Sequence, residues 1–180
     1  MVLKRIPSVL SPELLYALAQ MGHGDELVLA DVNFPVSSVC GRGPREIRAD
    51  GLEIPRLLEA ILELFPLDTY DPSSAAVMDL VEADKQRGVS VPIWDTYSHV
   101  LWQVGEVQKP LEKVERFAFY ERARKAFAVV ATGPLRCPIR RQRPSELDSI
   151  RCISGPLVGR HRQDLITMVQ VIHILFWLRV

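Results

Sequence analysis

The chain has 180 residues, 48% of them apolar and 24% charged, which is enough for one ordinary globular core and little more. Its 22 Lys+Arg balance 22 Asp+Glu, so the average charge gives nucleic acid or an anionic membrane no reason to bind. Three cysteines, Cys40, Cys137 and Cys152, show no CxxC spacing and no neighbouring His cluster, so neither a zinc site nor a disulfide framework is indicated and a reducing compartment is expected.

At the N-terminus, Met1 to Pro7 lacks the apolar stretch of a secretory leader, which again predicts a cytoplasmic protein. Ser11-Pro12-Glu13 supplies a capping hydroxyl, a first-turn proline and an early acid ahead of Leu14, Leu15 and Leu18, so a helix starts there and stops at Gly22. Glu26 to Ala30 reads as a short buried strand with Asp31 just beyond its carboxyl end, the end at which open α/β sheets bind ligands. Pro55 followed by Leu57, Leu58, Ala60, Ile61 and Leu64 has helical spacing, ended by Pro66. Ala75 to Val81 resembles another strand. Trp94, Tyr97, Val100, Leu101 and Val104 form a helical stripe that predicts core packing, stopped by Gly105. Phe117 to Ala126 continues as a helix and leads into Phe127 to Ala131, an apolar strand expected at the centre of the sheet. The alternation predicts α/β layers, and no internal repeat is visible.

The average charge conceals a split. Residues 1–133 carry 14 Lys+Arg against 19 Asp+Glu, whereas residues 134–180 carry 8, all Arg, against 3. Four prolines fall between Pro134 and Pro156, and an uncharged apolar run from Leu165 to Leu178 follows. At 14 residues with Gln170 and His173 inside it, that run falls short of the roughly 20 residues of a bilayer span. The composition predicts a domain over 1–133 and a divergent tail over 134–180, disordered or loosely helical.

Met21-Gly-His-Gly-Asp-Glu26 is the segment with the most chemistry. Flanking glycines free the backbone to present the His23 imidazole from a loop. Spacing alone leaves two readings open, a working histidine and a polar turn residue. His99 lies on a predicted helix, and His161 and His173 lie in the tail.

Five segments, Ser11-Pro-Glu-Leu-Leu15, Met21-Gly-His-Gly-Asp-Glu26, Ala30-Asp-Val-Asn-Phe-Pro35, Ile47-Arg-Ala-Asp-Gly-Leu52 and Arg116-Phe-Ala-Phe-Tyr-Glu-Arg-Ala123, follow one another in the order found in the fucose mutarotases, relatives of the bacterial ribose pyranases. The chain resembles that family over about three-quarters of its length. The resemblance implies a three-layer ribose-pyranase-like sheet with helices on both faces. It also implies interconversion of the α and β anomers of L-fucose without metal or organic cofactor, by a ring-like homo-oligomer whose sites lie near subunit contacts. By carry-over, His23 is the general acid/base, suited to the task because an imidazole ordinarily titrates near pH 6.5. Asp31 and Asp68 accept hydrogen bonds from sugar hydroxyls, and Arg116 and Tyr120 add a cationic donor and a phenol.

The resemblance breaks after Thr132-Gly133. The family continues with a Tyr-Gly-Asn segment and a final strand, and no Tyr-Gly-Asn occurs anywhere in this chain. Two sugar-contacting groups are therefore missing, and reduced activity, an unpaired strand edge and destabilisation are expected. An alternative transcript or an altered reading frame would explain the break. A non-catalytic sugar-binding or subunit-modulating isoform is the alternative to an enzyme, and a tail-anchored protein is a second rival.

Overall fold

A computed structural model describes residues 3–41, 43–68, 70, 73–106 and 109–133, together with a strand over 175–179. In chain order the elements are α1 (Pro12–Gln20), β1 (Glu26–Ala30), α2 (Val36–Cys40), β2 (Arg45–Asp50), α3 (Ile54–Leu62) and β3 (Ala75–Met78), then α4 (Glu82–Gln86), α5 (Ile93–Gln103), β4 (Glu112–Val114), α6 (Arg116–Ala123), β5 (Ala128–Gly133) and β6 (Leu175–Arg179). The α/β layering matches the expectation from sequence. The α1 start is as its sequence dictates: Leu14 N–H donates to Ser11 Oγ at 3.1 Å, satisfying one of the first-turn donors that no helix can pair internally.

The six strands form one sheet in the order β2-β5-β1-β6-β3-β4. Strands β1 to β5 are mutually parallel, and β6 runs antiparallel between β1 and β3. Because side chains alternate along a strand, each central strand feeds two cores. Leu27, Leu29, Ala128, Val130, Ala75 and Val77 face a core built with α1, α3 and α5. Val28, Ala30, Val129, Ala131, Ala76 and Met78 face a second core that includes Phe119 and Ala123 of α6 and Val36 and Val39 of α2. Helices thus cover both faces. A fully buried Leu or Val side chain stabilises by about 1.5–3 kcal/mol, so the doubly buried β1 and β5 anchor the fold.

Two expectations about the C-terminus are corrected. Leu175–Arg179 is a strand, neither disordered nor loosely helical, and its register places Val28 opposite Trp177 and Ala76 opposite the same residue. Nor does β5 have an unpaired edge, since it lies between β2 and β1. The vulnerable edges are those of β1 and β3, and β6 pairs with both. The physical reason is that unpaired N–H and C=O groups between two buried strands are costly, and a segment rich in β-formers and free of proline can pair with them. Residues 1–134 and 173–180 accordingly form one compact unit. The arginine- and proline-rich stretch from Pro134, including Cys137 and Cys152, lies outside the described residues.

Candidate functional site

All five parallel strands end on the same side of the sheet, and the loops leaving β1, β2 and β5 enclose a cavity of about 500 Å³ there. Small-molecule sites usually occupy roughly 300–1,000 Å³. Asp31, Thr132 and Gly133 border it, as do Gly51 to Pro55 from the turn before α3, and Ile93 and Tyr97 from α5.

Backbone geometry fixes this rim. Gly133 has φ +116°, and a β-carbon there would meet the Val32 side chain at 2.9 Å, so only glycine lets the end of β5 lie against the loop after β1. Gly133 N–H donates to Leu52 O at 3.1 Å, tying that strand end to the loop after β2.

Asp31 is held in place. Its Oδ1 accepts from Asn33 N–H at 3.0 Å and Phe34 N–H at 3.1 Å, and its Oδ2 from Asn33 Nδ2 at 3.3 Å. The carboxylate thus caps its own loop and is oriented beside the cavity. Tyr97 is completely buried, and burial first, then the negative charge of Asp31, pushes its phenol well above the ordinary range. A neutral phenol therefore lies close to the oriented carboxylate. Thr132 Oγ donates to Ala30 O at 3.0 Å.

Tyr120 reaches the same end of the sheet. Its ring packs on Phe34 with centroids 5.4 Å apart, and Phe34 is the residue whose amide holds Asp31. Arg116 opens α6 one turn earlier, immediately beyond β4, and its Nε is buried with no hydrogen-bond partner among the described residues.

His23 and Asp68 are elsewhere. His23 precedes β1 and Asp31 follows it, so the five-residue strand separates them by about 17 Å at 3.3 Å per residue. His23 is exposed in a turn closed by Asp25 N–H donating to Gly22 O at 3.0 Å and Gly22 N–H donating to Asp25 Oδ2 at 2.8 Å. Of its two flanking glycines, only Gly24 uses a left-handed conformation, φ +88°; Gly22 has a negative φ, a correction to the expectation that both free the backbone. Asp68 lies in the loop between α3 and β3, on that same amino-terminal end of the sheet, where its Oδ1 accepts from Tyr70 N–H at 2.8 Å. A single copy of the chain thus places Asp31, Arg116 and Tyr120 toward one end of the sheet, Arg116 and Tyr120 outside the cavity lining, and His23 and Asp68 toward the other.

Sequence reasoning missed Tyr97 and Glu53 as site residues. Tyr97 sat in an apolar helical stripe and was assigned to the core, which is correct for its ring. The signal that could have found it is the hydroxyl, since a buried tyrosine needs somewhere polar to point. Among the described residues, no group of three or more His, Cys, Asp or Glu side chains converges as metal ligands do. No helix among them is long and apolar enough to cross a membrane.

A model of the RbsD / FucU transport protein family matches residues 4–137, ending just past the composition break. The fucose mutarotase of Danio rerio is 72% identical over 132 residues, covering 73% of this chain and 85% of that protein. The fucose mutarotase of Homo sapiens is 66% identical over 131 residues, covering 73% and 84%. Among solved structures, the fucose mutarotase from Streptococcus pneumoniae in complex with L-fucose superposes with a TM-score of 0.65 at 45% identity, over 74% of this chain and 90% of that one.

Proposed function

The chain belongs to the RbsD / FucU family, and on that premise we propose that it is an isomerase, a mutarotase interconverting the α and β anomers of L-fucose. The observation that carries the reading is the cavity at the carboxyl ends of the strands with the Asp31 carboxylate fixed at its side. Fixed acceptors of this kind suit sugar hydroxyls, each of which carries a donor proton.

The chemistry is a proton exchange. A base removes the proton of the anomeric hydroxyl while an acid protonates the ring oxygen, the C1–O5 bond breaks to give the open aldehyde, C1 rotates, and the reverse transfers close the other anomer. His23 is assigned the acid/base role, Asp31 and Asp68 accept from sugar hydroxyls, and Arg116 and Tyr120 donate near the reacting end. The unpartnered Arg116 Nε supports its part of this assignment.

Since one copy holds these groups at opposite ends of β1, the working site is composite: the amino-terminal end of one copy, carrying His23 and Asp68, meets the carboxyl-terminal end of the next. Such head-to-tail contacts close into rings when the rotation permits. Exposed apolar side chains at both ends support this, with Trp102 56% and Leu64 41% exposed on the His23 end and Phe117 71% exposed beside Arg116. The protein works in the cytoplasm, with no cofactor required.

Saturation-transfer NMR on L-fucose tests the reading. The full chain should speed anomer exchange above the spontaneous rate, and His23→Ala should lose about 10²- to 10⁴-fold. An unaltered rate in His23→Ala removes that residue from its role.

A further inference from the structure

The turn that presents His23 lies between α1 and β1, and its two flanks are fastened to Arg45 and Phe127, which are themselves joined. On the leading flank, Arg45 at the start of β2 donates from Nη1 to Oε1 of Gln20, the last residue of α1, at 3.1 Å. Its guanidinium lies over the Tyr16 ring, 5.5 Å from the centroid, and over the Phe127 ring at 6.0 Å. Gln20 Nε2 donates in turn to Tyr16 Oη at 3.2 Å. On the trailing flank, Phe127 N–H donates to Glu26 O at 2.9 Å, and Arg45 N–H donates to Phe127 O at 3.2 Å. α1 has no basic residue in its last turn, so the cation that favours its carboxyl end is brought from β2.

We infer that Arg45 is a positioning residue for His23: set against Tyr16 and Phe127, it fixes the end of α1 to the start of β2 and thereby sets where the imidazole stands. The inference rests on the acid/base role assigned to His23 and adds the side chain that steadies it. His23 is exposed, so core packing does not orient it and the flanks of its turn do. A guanidinium suits this work because it stacks on rings while donating in its own plane, which an ammonium cannot do. Proton transfer needs donor and acceptor within about 3 Å, and a misplacement of roughly 1 Å can cost up to about a hundredfold in rate. Asp31 and Tyr120 lie toward the other end of the sheet, so loosening this clamp should slow turnover and spare sugar binding.

Saturation-transfer NMR at several L-fucose concentrations separates kcat from KM in the full chain, with rates scaled to the folded fraction read from the β1 amides. Arg45→Ala keeps the backbone N–H that bonds Phe127 and should lower kcat about tenfold, with KM within about twofold of wild type. Arg45→Lys keeps the charge and should stay at least about threefold below wild type. Gln20→Met, at an exposed position of α1, removes the acceptor and should lower kcat about threefold. Added to Arg45→Ala it should cost nothing further, because both act through one contact. If Arg45→Ala fails to fold, Gln20→Met alone decides. An unchanged kcat in these variants, a rise in KM alone, full recovery with lysine, or a double variant that multiplies the single losses overturns the inference and leaves the mutarotase reading intact. Wild-type exchange in His23→Ala overturns the role of His23 and this inference together.

Discussion

The two ends of the sheet are built from different materials. The carboxyl-terminal end is a built site: a cavity, an Asp31 carboxylate bound by three donors, a buried phenol and a glycine that only glycine can replace. The amino-terminal end presents His23 from an exposed turn closed by the Asp25 carboxylate. In the proposed mechanism one end recognises the sugar and the other carries the group that moves protons, and the two are separated by the length of β1. The lesson is that residues adjacent along a chain, such as His23 and Asp31, are placed apart by the very strand that links them.

The sharpest way to break this comparison is to mix defects. His23→Ala and Asp31→Asn should each reduce fucose exchange by about 10²-fold or more alone. Mixed after dissociation and reassembly, they should regain about a quarter of wild-type activity, because head-to-tail contacts place an intact His23 beside an intact Asp31 in that share of sites. A mixture no more active than its components means that the two ends do not meet.

A proline tests how the sheet between the ends is held. Phe176→Pro removes a ladder donor from β6, which pairs with β1 on one side and β3 on the other, and should cost about 3–4 kcal/mol in chemical denaturation. A change below about 0.5 kcal/mol would show that β6 is not needed to join the two halves of the sheet.

Alanine at the glycine of each end compares their rigidity. Gly133→Ala combines φ +116° with a contact of 2.9 Å to Val32 and should destabilise by about 2–3 kcal/mol. Gly24→Ala meets nothing within 4 Å and bears only the backbone penalty of its φ of +88°, about 1 kcal/mol. Equal losses in urea unfolding would contradict the contrast between a packed and an open end.

The smallest effect concerns Cys40, at the end of α2. Burial, and secondarily Glu46, push its thiol up to about 11 from 9.0. At pH 8 only about one molecule in a thousand is then thiolate, so alkylation there should be far slower than for a free thiol and should accelerate as pH rises toward 11. Peptide mapping of the Cys40 label reads the rate, and alkylation at pH 8 as fast as a model thiol would refute the burial.

Much of the fold was legible because local signals and tertiary context agreed. Ser11-Pro12-Glu13 contains its own cap, and Glu26 to Ala30 is apolar enough to be buried on both faces, so α1 and β1 stand where the sequence puts them. The short α2, α4 and β4 and the charged β2 were not legible. Arg45-Glu-Ile-Arg-Ala-Asp50 hides one fully buried residue, Ile47, among ionic neighbours, and only its pairing with β5 makes it a strand. Asp31 announced itself by its place at a strand end, whereas Tyr97 was hidden by the periodicity of the helix that carries it.

By itself the sequence determined the longer helices and the apolar strands β1 and β5, which residue types are available for sugar chemistry, and where the composition changes, because these depend on neighbours along the chain. Tertiary structure alone decided that Tyr97 stands beside Asp31, that His23 lies at the far end of β1, and that residues 175–179 pair between β1 and β3. Those outcomes depend on which strands share hydrogen bonds and in which direction each runs, and β6 shows the point by returning from beyond the composition break to lie between two strands from the front of the chain.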